Sequence, residues 1–440
     1  MMTEHLRRSL LIRVYSCPFV IKLPAVIIFL ALSIPLLLVA PRALALDTPP
    51  LTLPEAYELA LAQSETLQIG EAEIRAAEAL YRRTAGGVWP ELSADASAAL
   101  RDGSTGSDRA TEVYSVGVGG RWVVFNGFRT LREAEARKAD GKALTFDLQR
   151  TRQLLYEDVA DVFYQVLAYQ AELRALGDQA TALTDQSEAL EERVKLGRSR
   201  RAEMLSAQAQ LAEVLVTAEQ VKALEGAALE LLAFLVGKDA TELNPVDSTP
   251  LPDSEDIDRY LAMTKDRPDV AAATARIESS ELDLAAAKGN RNVQVTVDGN
   301  AYLWRDPEDE GDWDLTVQAS LPFFDHGVRL AQEAERAEQV RVSELRLAQL
   351  QRITDRDVRL AYRVLVGTLA QWSALQDAIR ITTENHETQV RDYELGRSSN
   401  IDVIAALVQL HNLRRRSASL EMQAKARLVQ LHVAAGTQAP

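Results

Sequence analysis

A single cysteine, Cys17, stands in a chain of 440 residues, so no disulfide can form within it and no set of thiolates can hold a metal. The five histidines, His5, His326, His386, His411 and His432, have no second histidine at metal-ligand spacing, and there is no phosphate loop and no GxSxG. Positive charge is in deficit: the net charge is −15, which disfavours a nucleic-acid partner. Aromatic residues make up only 6% against a hydrophobic content of 47%, so alanine and leucine supply much of the apolar surface, as close-packed helices require. Proline is missing from Glu91 to Asn244 and from Phe323 to Ala439, and nothing in those stretches need break a helix. These absences leave no catalytic constellation. The chain reads as a non-enzymatic protein without a cofactor or a metal.

The N-terminus has the pattern of an export signal. Arg7, Arg8, Arg13 and Lys22 precede an apolar run from Leu23 to Ala40, and Ala43-Leu44-Ala45 offers a small-residue cleavage site. The competing reading is a membrane anchor; Pro24, Pro35 and the cleavage pattern favour removal. Cleavage would remove Cys17 and take the net charge to about −19.

The chain repeats itself. Leu196-Gly197-Arg198-Ser199 recurs as Leu395-Gly396-Arg397-Ser398, each at the end of one long helical pattern and the start of another. Glycine after a helix is a common left-handed stop, so Gly197 and Gly396 read as the bends of two helical hairpins. Phe125-Asn126-Gly127 matches Phe324-Asp325-His326-Gly327 with one residue added, and Arg129 and Glu133-Ala134-Glu135 match Arg329 and Glu333-Ala334-Glu335. The expected organisation is a signal peptide over 1–45, a first repeat over 46–237 with its tip at 196–203, a linker over 238–252, a second repeat over 253–436 with its tip at 395–402, and a tail over 437–440.

Two periodicities alternate within each half. Leu148, Leu155, Val162, Tyr169, Leu176, Leu183 and Leu190 recur every seven residues, with a second series through Val159, Val166, Leu173, Ala180, Ser187 and Val194. This is a coiled-coil seam, echoed by Val358, Leu365, Trp372 and Ile379. A helix from Arg129 to Leu196 would be roughly 100 Å long, far more than a bilayer. The opening Leu53-Pro54-Glu55-Ala56 starts a helical pattern that runs to about Ala85, and Pro268 interrupts its counterpart. Strict alternation marks strands at Val293–Trp304 and Trp313–Leu321, with a weaker pair at Glu91–Leu100 and Glu112–Phe125. Gly117-Val118-Gly119-Gly120 falls in this last strand and reads as packing, not as a nucleotide site. The fold class is therefore mainly α with a small β part: long antiparallel coiled-coil hairpins in two repeated halves, plus four strands.

Strands of about ten residues with one apolar and one polar face suit a membrane barrel with a wet interior; a small soluble sheet is the alternative. Four of the five tryptophans, Trp89, Trp122, Trp304 and Trp313, flank or end these strands, where an amphipathic ring suits a membrane interface. Four strands cannot close a barrel and an open edge is not tolerated in lipid, so spanning strands require an oligomer. The acidic loop Asp306–Asp312 reads as a solvated external loop, with a divalent cation as the competing reading. At the tips, Ser399-Asn400-Ile401-Asp402 has the form of a capping box, Glu203 sits at the same place in the other hairpin, and Arg198 and Arg397 follow the glycines. Either these are caps and solvated side chains, or oligomerisation gathers the acids into a charged ring at a pore mouth.

The duplicated order, the opening LTLPEAYELAL, the FNG turn with its alanine-rich helix and the paired LGRS tips resemble the TolC-like outer membrane efflux proteins from about Leu51 to Gly436. That resemblance implies a homotrimer that pools four strands per chain into a twelve-stranded outer-membrane β-barrel, in contact with outer-membrane lipid. It also implies a helical tunnel through the periplasm. Its tip would dock on a periplasmic adaptor of an inner-membrane pump or exporter, in a tripartite efflux pump or a type I secretion system. The family's closed tip uses a tyrosine, an acid and an arginine, which the resemblance carries to Tyr393, Glu203 and, one residue out of place, Arg397; the arginine's own position holds Ser398. Asp402 matches one acid of the family's entrance ring, and the second falls on Ala405, which implies a less negative ring. The competing class is a periplasmic coiled-coil scaffold or adaptor without a barrel, but adaptors carry one hairpin where this chain has two.

Overall fold

The computed structural model of the chain describes residues 49–101, 111–251, 256–306 and 312–437. The expected signal peptide with Cys17, the loops within 102–110 and 307–311, and the tail beyond Thr437 lie outside these residues. The first half runs α1 (Leu53–Gln63), α2 (Glu65–Gly86), β1 (Glu91–Arg101), β2 (Thr111–Phe125), α3 (Arg129–Lys195) and α4 (Arg201–Val236). The second runs α5 (Ile257–Met263), α6 (Pro268–Gly289), β3 (Gln294–Asp306), β4 (Trp313–Ser320), α7 (Val328–Glu394) and α8 (Asn400–Ala435). No helix among the described residues is long and apolar enough to cross a membrane.

The opening helix departs from the sequence expectation. It breaks at Ser64, whose backbone turns extended and whose hydroxyl accepts from the Leu67 amide, so α1 ends and α2 begins at one residue. Neither proline nor glycine marks the break. The repeat also registers differently. Both α3 and α7 span 67 residues and both α4 and α8 span 36. Structurally, therefore, Phe128 at the start of α3 corresponds to Gly327 at the start of α7, and Gly127 to His326, with no added residue. Both turns take two consecutive left-handed residues: Gly127 and Phe128 in one, His326 and Gly327 in the other. Arg129 thus falls opposite Val328 and not opposite Arg329.

The heptad seam forms the core. Leu176, Leu183 and Leu190 on α3 pack with Ala207, Val214 and Val221 on α4 and with Ile404 and Leu407 on α8. Nearer the sheet, Tyr156, Val159, Phe163 and Val166 meet α1, α4 and α8, and the rings of Tyr57 and Tyr156 stand edge to face at 4.9 Å. Each fully buried leucine contributes about 1.5–3 kcal/mol of burial. Polar bonds then stitch α3 to α8 along its length. Arg150 donates to the Val433 carbonyl at 2.7 Å, Gln430 to Asp161 at 2.8 Å, and Arg415 to Glu172 at 2.8 Å. This α3–α8 contact joins the two hairpins. The outer helices are less covered: α7 buries only Thr354, Val358, Leu365, Thr368 and Thr382, while α4 leaves Val216 and Phe234 exposed.

The four strands form one antiparallel sheet in the order β1-β2-β3-β4. Register assigns the faces. Ala94, Val118, Ala301 and Trp313 share one rung, and Trp122, Val297 and Val317 share another, all on the apolar face. The rungs between them hold Ser93, Gly119, Asn300 and Asp314, and Glu91, Arg121, Asp298 and Thr316. This polar face is internally bonded, with Arg121 to Asp298 at 2.6 Å and Tyr302 to Asp314 at 2.9 Å. Glycine at 119 leaves room for it: a Cβ there would come within 2.9 Å of the Asp95 carboxylate. An irregularity opposite Val116 and Gly117 resets the alternation expected around Leu303, and the Trp304 ring stacks on Tyr114.

The stretch between the halves is strapped down by one buried ion pair. Lys425 of α8 donates to Asp247 at 2.8 Å and to the Thr249 carbonyl at 2.7 Å, and both charged side chains are buried. Burial alone would raise the Asp247 pKa, but hydrogen bonds from Lys425 and Thr249 outweigh it and hold the carboxyl below its ordinary range. A depressed pKa stabilises the fold above the unfolded value and loses that contribution as pH falls through the folded one. Lys425→Met, which strands the carboxylate, should cost about 3–5 kcal/mol, while Lys425→Met with Asp247→Leu should recover most of it. Denaturant unfolding of the detergent-solubilised protein measures both, and the cost of Lys425→Met should shrink in acid.

Candidate functional site at the two ends of the molecule

The sheet end carries two tiers of aromatic rings. Trp89 precedes β1, and Trp122 lies at the helix-side end of β2, where its Nε1 donates to the Val88 carbonyl at 3.0 Å. Phe125 and Phe128 meet edge to face at 5.4 Å beside them. Trp304 and Trp313 stand at the opposite strand ends, both exposed. Trp122 and the β2 partner of Trp304, Val116, are six residues apart, roughly 20 Å along the strand. The bare apolar rungs lie between these tiers, so the sheet presents an apolar band edged by aromatic rings, as a bilayer-embedded face requires.

The tips are two copies of one turn. At the first, the Gly197 amide donates to the Val194 carbonyl at 3.0 Å and the Arg198 amide to the Arg193 carbonyl at 2.8 Å. At the second, Gly396 donates to Tyr393 at 3.0 Å and Arg397 to Asp392 at 2.7 Å. This double bond closes a helix end only around a left-handed residue, and Gly197 and Gly396 take φ of +67° and +72°. The returning helices start differently. The Ser399 amide and hydroxyl both donate to Asp402, at 3.0 and 2.7 Å, which forms the capping box. The Ser399 hydroxyl and amide hold the Asp402 carboxyl below its ordinary pKa, so it is charged at neutral pH. In the first tip the cap position is Arg200, and Glu203 accepts from the Ser199 hydroxyl at 2.7 Å.

Within one chain the structure does not bring Glu203 to Tyr393 or Arg397. Tyr393 instead lies beneath Arg193, whose guanidinium carbon sits 5.0 Å from the ring centre, a cation–π contact from α3 to α7. The Tyr393 hydroxyl has no hydrogen bond among the described residues. Arg198 and Arg397 are exposed, and neither forms an ion pair among the described residues. One further link joins the hairpins: Gln186 of α3 donates to Asn400, the first residue of α8, which is fully buried and whose Nδ2 has no partner. Arg193, Gln186 and Asn400 were not legible as site residues, because their partners lie about 200 residues away and only lateral helix packing brings them together. Among the described residues no group of three or more His, Cys, Asp or Glu is placed to hold a metal ion.

The profile of the outer membrane efflux protein family matches residues 56–238 and 262–437. No curated protein matches the sequence significantly. Solved structures do match. The outer-membrane channel OprN superposes with a TM-score of 0.78 at 19% identity, over 87% of this chain and 89% of that one. VceC, an outer membrane protein of Vibrio cholerae, gives 0.77 at 17% identity over 88% and 96%. The MtrE outer membrane channel of Neisseria gonorrhoeae, in its open state, gives 0.74 at 17% identity over 88% and 89%. At these identities the likeness establishes the fold.

The tip geometry separates ring from hydroxyl at Tyr393. Tyr393→Phe keeps the face under Arg193, whereas Tyr393→Leu and Arg193→Gln remove the contact. An exposed cation–π contact contributes about 0.5–1 kcal/mol, so the last two changes should speed amide hydrogen exchange around residues 393–398 by roughly two- to fivefold. Tyr393→Phe should leave the rates near wild type.

Proposed function

The chain belongs to the outer membrane efflux protein family, and on that premise we propose that it is the passive outer-membrane duct of a tripartite efflux pump or type I secretion system. The observation that carries this reading is a sheet with an apolar outer face and two unpaired edges. Among the described residues β1 pairs only with β2 and β4 only with β3. One flank of the chain is β4 with the sparsely covered α7; the other is β1 with α2 and α4. Joining one flank to the other flank of the next copy is a head-to-tail contact that closes into a ring. Two copies would give eight strands, whose interior side chains fill; three give twelve and leave a wet lumen lined by the Asp95, Asp298 and Asp314 face. A homotrimer is therefore the smallest assembly that conducts.

The helices then continue the lumen through the periplasm to the tips, where an adaptor of the inner-membrane pump or exporter would dock. Residues 46–237 and 253–436 act as the two repeats of each subunit, joined by 238–252. At the tips, Glu203 would meet Tyr393 and Arg397 across neighbouring chains, since it does not do so within one, with Arg198 alongside. Asp402, one acid per chain, would form a ring at the entrance. Such a gate needs only a few kcal/mol of bias to change state.

Reconstitution in planar bilayers should give discrete steps of conductance; their absence would overturn the reading. Val317→Arg, on the apolar face, should abolish those steps by impairing assembly, at about 2–4 kcal/mol per midplane arginine. Thr296→Arg, on the polar face, should retain them.

A further inference from the structure

The junction between sheet and helices holds a cavity of about 470 Å³ that none of the above uses. It lies where β2 passes into α3, α6 into β3 and β4 into α7. Its walls include Arg129, Arg329, Asn290, Asn292, Gln294 and Gln332. Two features of this wall stand out. It contains two guanidinium groups and five side-chain amides, Asn126 among them, but no carboxylate. It also includes Ser320 with Gln294, partners in the β3–β4 ladder on the polar face, so the cavity opens on the side of the sheet that carries Asp298 and Asp314.

The two arginines are not equally satisfied. Arg329 pairs with Asp325 at 3.3 Å and donates to the Pro322 carbonyl at 3.3 Å. Arg129 donates through one terminal nitrogen to Asn290 at 3.1 Å, and its nearest carboxylate, Glu133, lies 3.8 Å from Nε, beyond hydrogen-bond reach. That Nε is buried from solvent and has no acceptor. The register found above explains the difference. Asp325 holds the second turn by accepting from the Gly327 and Arg329 amides, whereas its structural counterpart in the first turn is Asn126, which bonds Thr130 instead. The first junction therefore has a cation and lacks the acid that its duplicate possesses. The close approach of Gly127 to Gly289 fixes the wall, since any side chain at Gly127 would collide with the Gly289 carbonyl.

A guanidinium fork presents planar paired donors that match an oxyanion, and amide N–H groups complete such a shell without competing charge. We propose that this cavity binds the oxyanion, phosphate or carboxylate, of a solute in the duct, with Arg129 as its principal donor. The proposal rests on the reading of the polar face as the duct lumen. It also predicts the source: a free anion in water and not a lipid headgroup, which would approach from the apolar face.

The test uses the full-length protein in detergent, with inorganic pyrophosphate as the probe and chloride at matched ionic strength as the control. Pyrophosphate should raise the thermal unfolding midpoint saturably. Gln332→Glu adds a negative charge to the wall without removing any bond of the wild-type chain, and should raise the half-saturating concentration about tenfold or more. Arg129→Gln should do the same. Short-chain phosphatidic acid below its micellar concentration should compete no better than pyrophosphate. An unchanged midpoint, or equal half-saturation in wild type and Gln332→Glu, would overturn the proposal, as would a response to the lipid alone. Pyrophosphate added to the conducting protein in a bilayer should reduce current in wild type more than in Gln332→Glu. A protein that binds pyrophosphate but does not conduct would remove the duct reading and leave the oxyanion site standing.

Discussion

The backbone edges of β1 and β4 set the terms for the rest of the molecule. Every second residue on each edge directs an N–H and a C=O where the described residues have no strand to receive them, and hydrocarbon offers no substitute. The apolar rungs between the tryptophan tiers commit the sheet to hydrocarbon all the same. Further copies of the chain, as proposed above for the duct, would resolve the conflict. The duplication makes this economical, because each half contributes two strands and one long hairpin with the same register.

The α3–α8 contact carries that arrangement to the far end. The hairpins are joined by a seam of buried leucine and valine and by polar bonds in antiparallel order from Arg150 to Gln186. A helix of 67 residues is roughly 100 Å long, so the tips lie well clear of any bilayer that holds the sheet. The contacts between hairpins change in kind toward the tip. Near the sheet they include buried rings and paired charges; at the tip Ile404 and Leu407 still pack on the α3 leucines, beside a stack of Arg193 on Tyr393 and an amide pair with one unmet donor. A fully buried polar group without a partner costs about 1–3 kcal/mol, and Asn400 Nδ2 sets that cost against the packing at the tip.

Much of this was legible in the sequence because it rests on period and turn chemistry. The heptad positions Leu176, Leu183 and Leu190 are buried, the alternation in β3 and β4 assigns their faces, and Gly197 and Gly396 take left-handed backbone. The misreadings have physical reasons. Ser64 breaks the first helix through one side-chain cap, a signal too weak to distinguish from a serine within a helix. Arg129 and Arg329 look equivalent because charge and alanine recur near both, but the left-handed pairs Gly127–Phe128 and His326–Gly327 set the true register. A positive φ at Phe128 is not what residue preference leads one to expect. The partners of Tyr393 and Asn400 depend on which helix lies beside which, and no local pattern encodes that.

The proposed duct needs three copies to close one barrel. Native mass spectrometry of the detergent-solubilised protein, with detergent removed in the gas phase, tests it most directly. Closure by three copies predicts a dominant species of three times the mass of the mature chain, with no stable population of two. A dominant monomer or dimer would contradict it, since neither supplies enough strands to enclose a lumen.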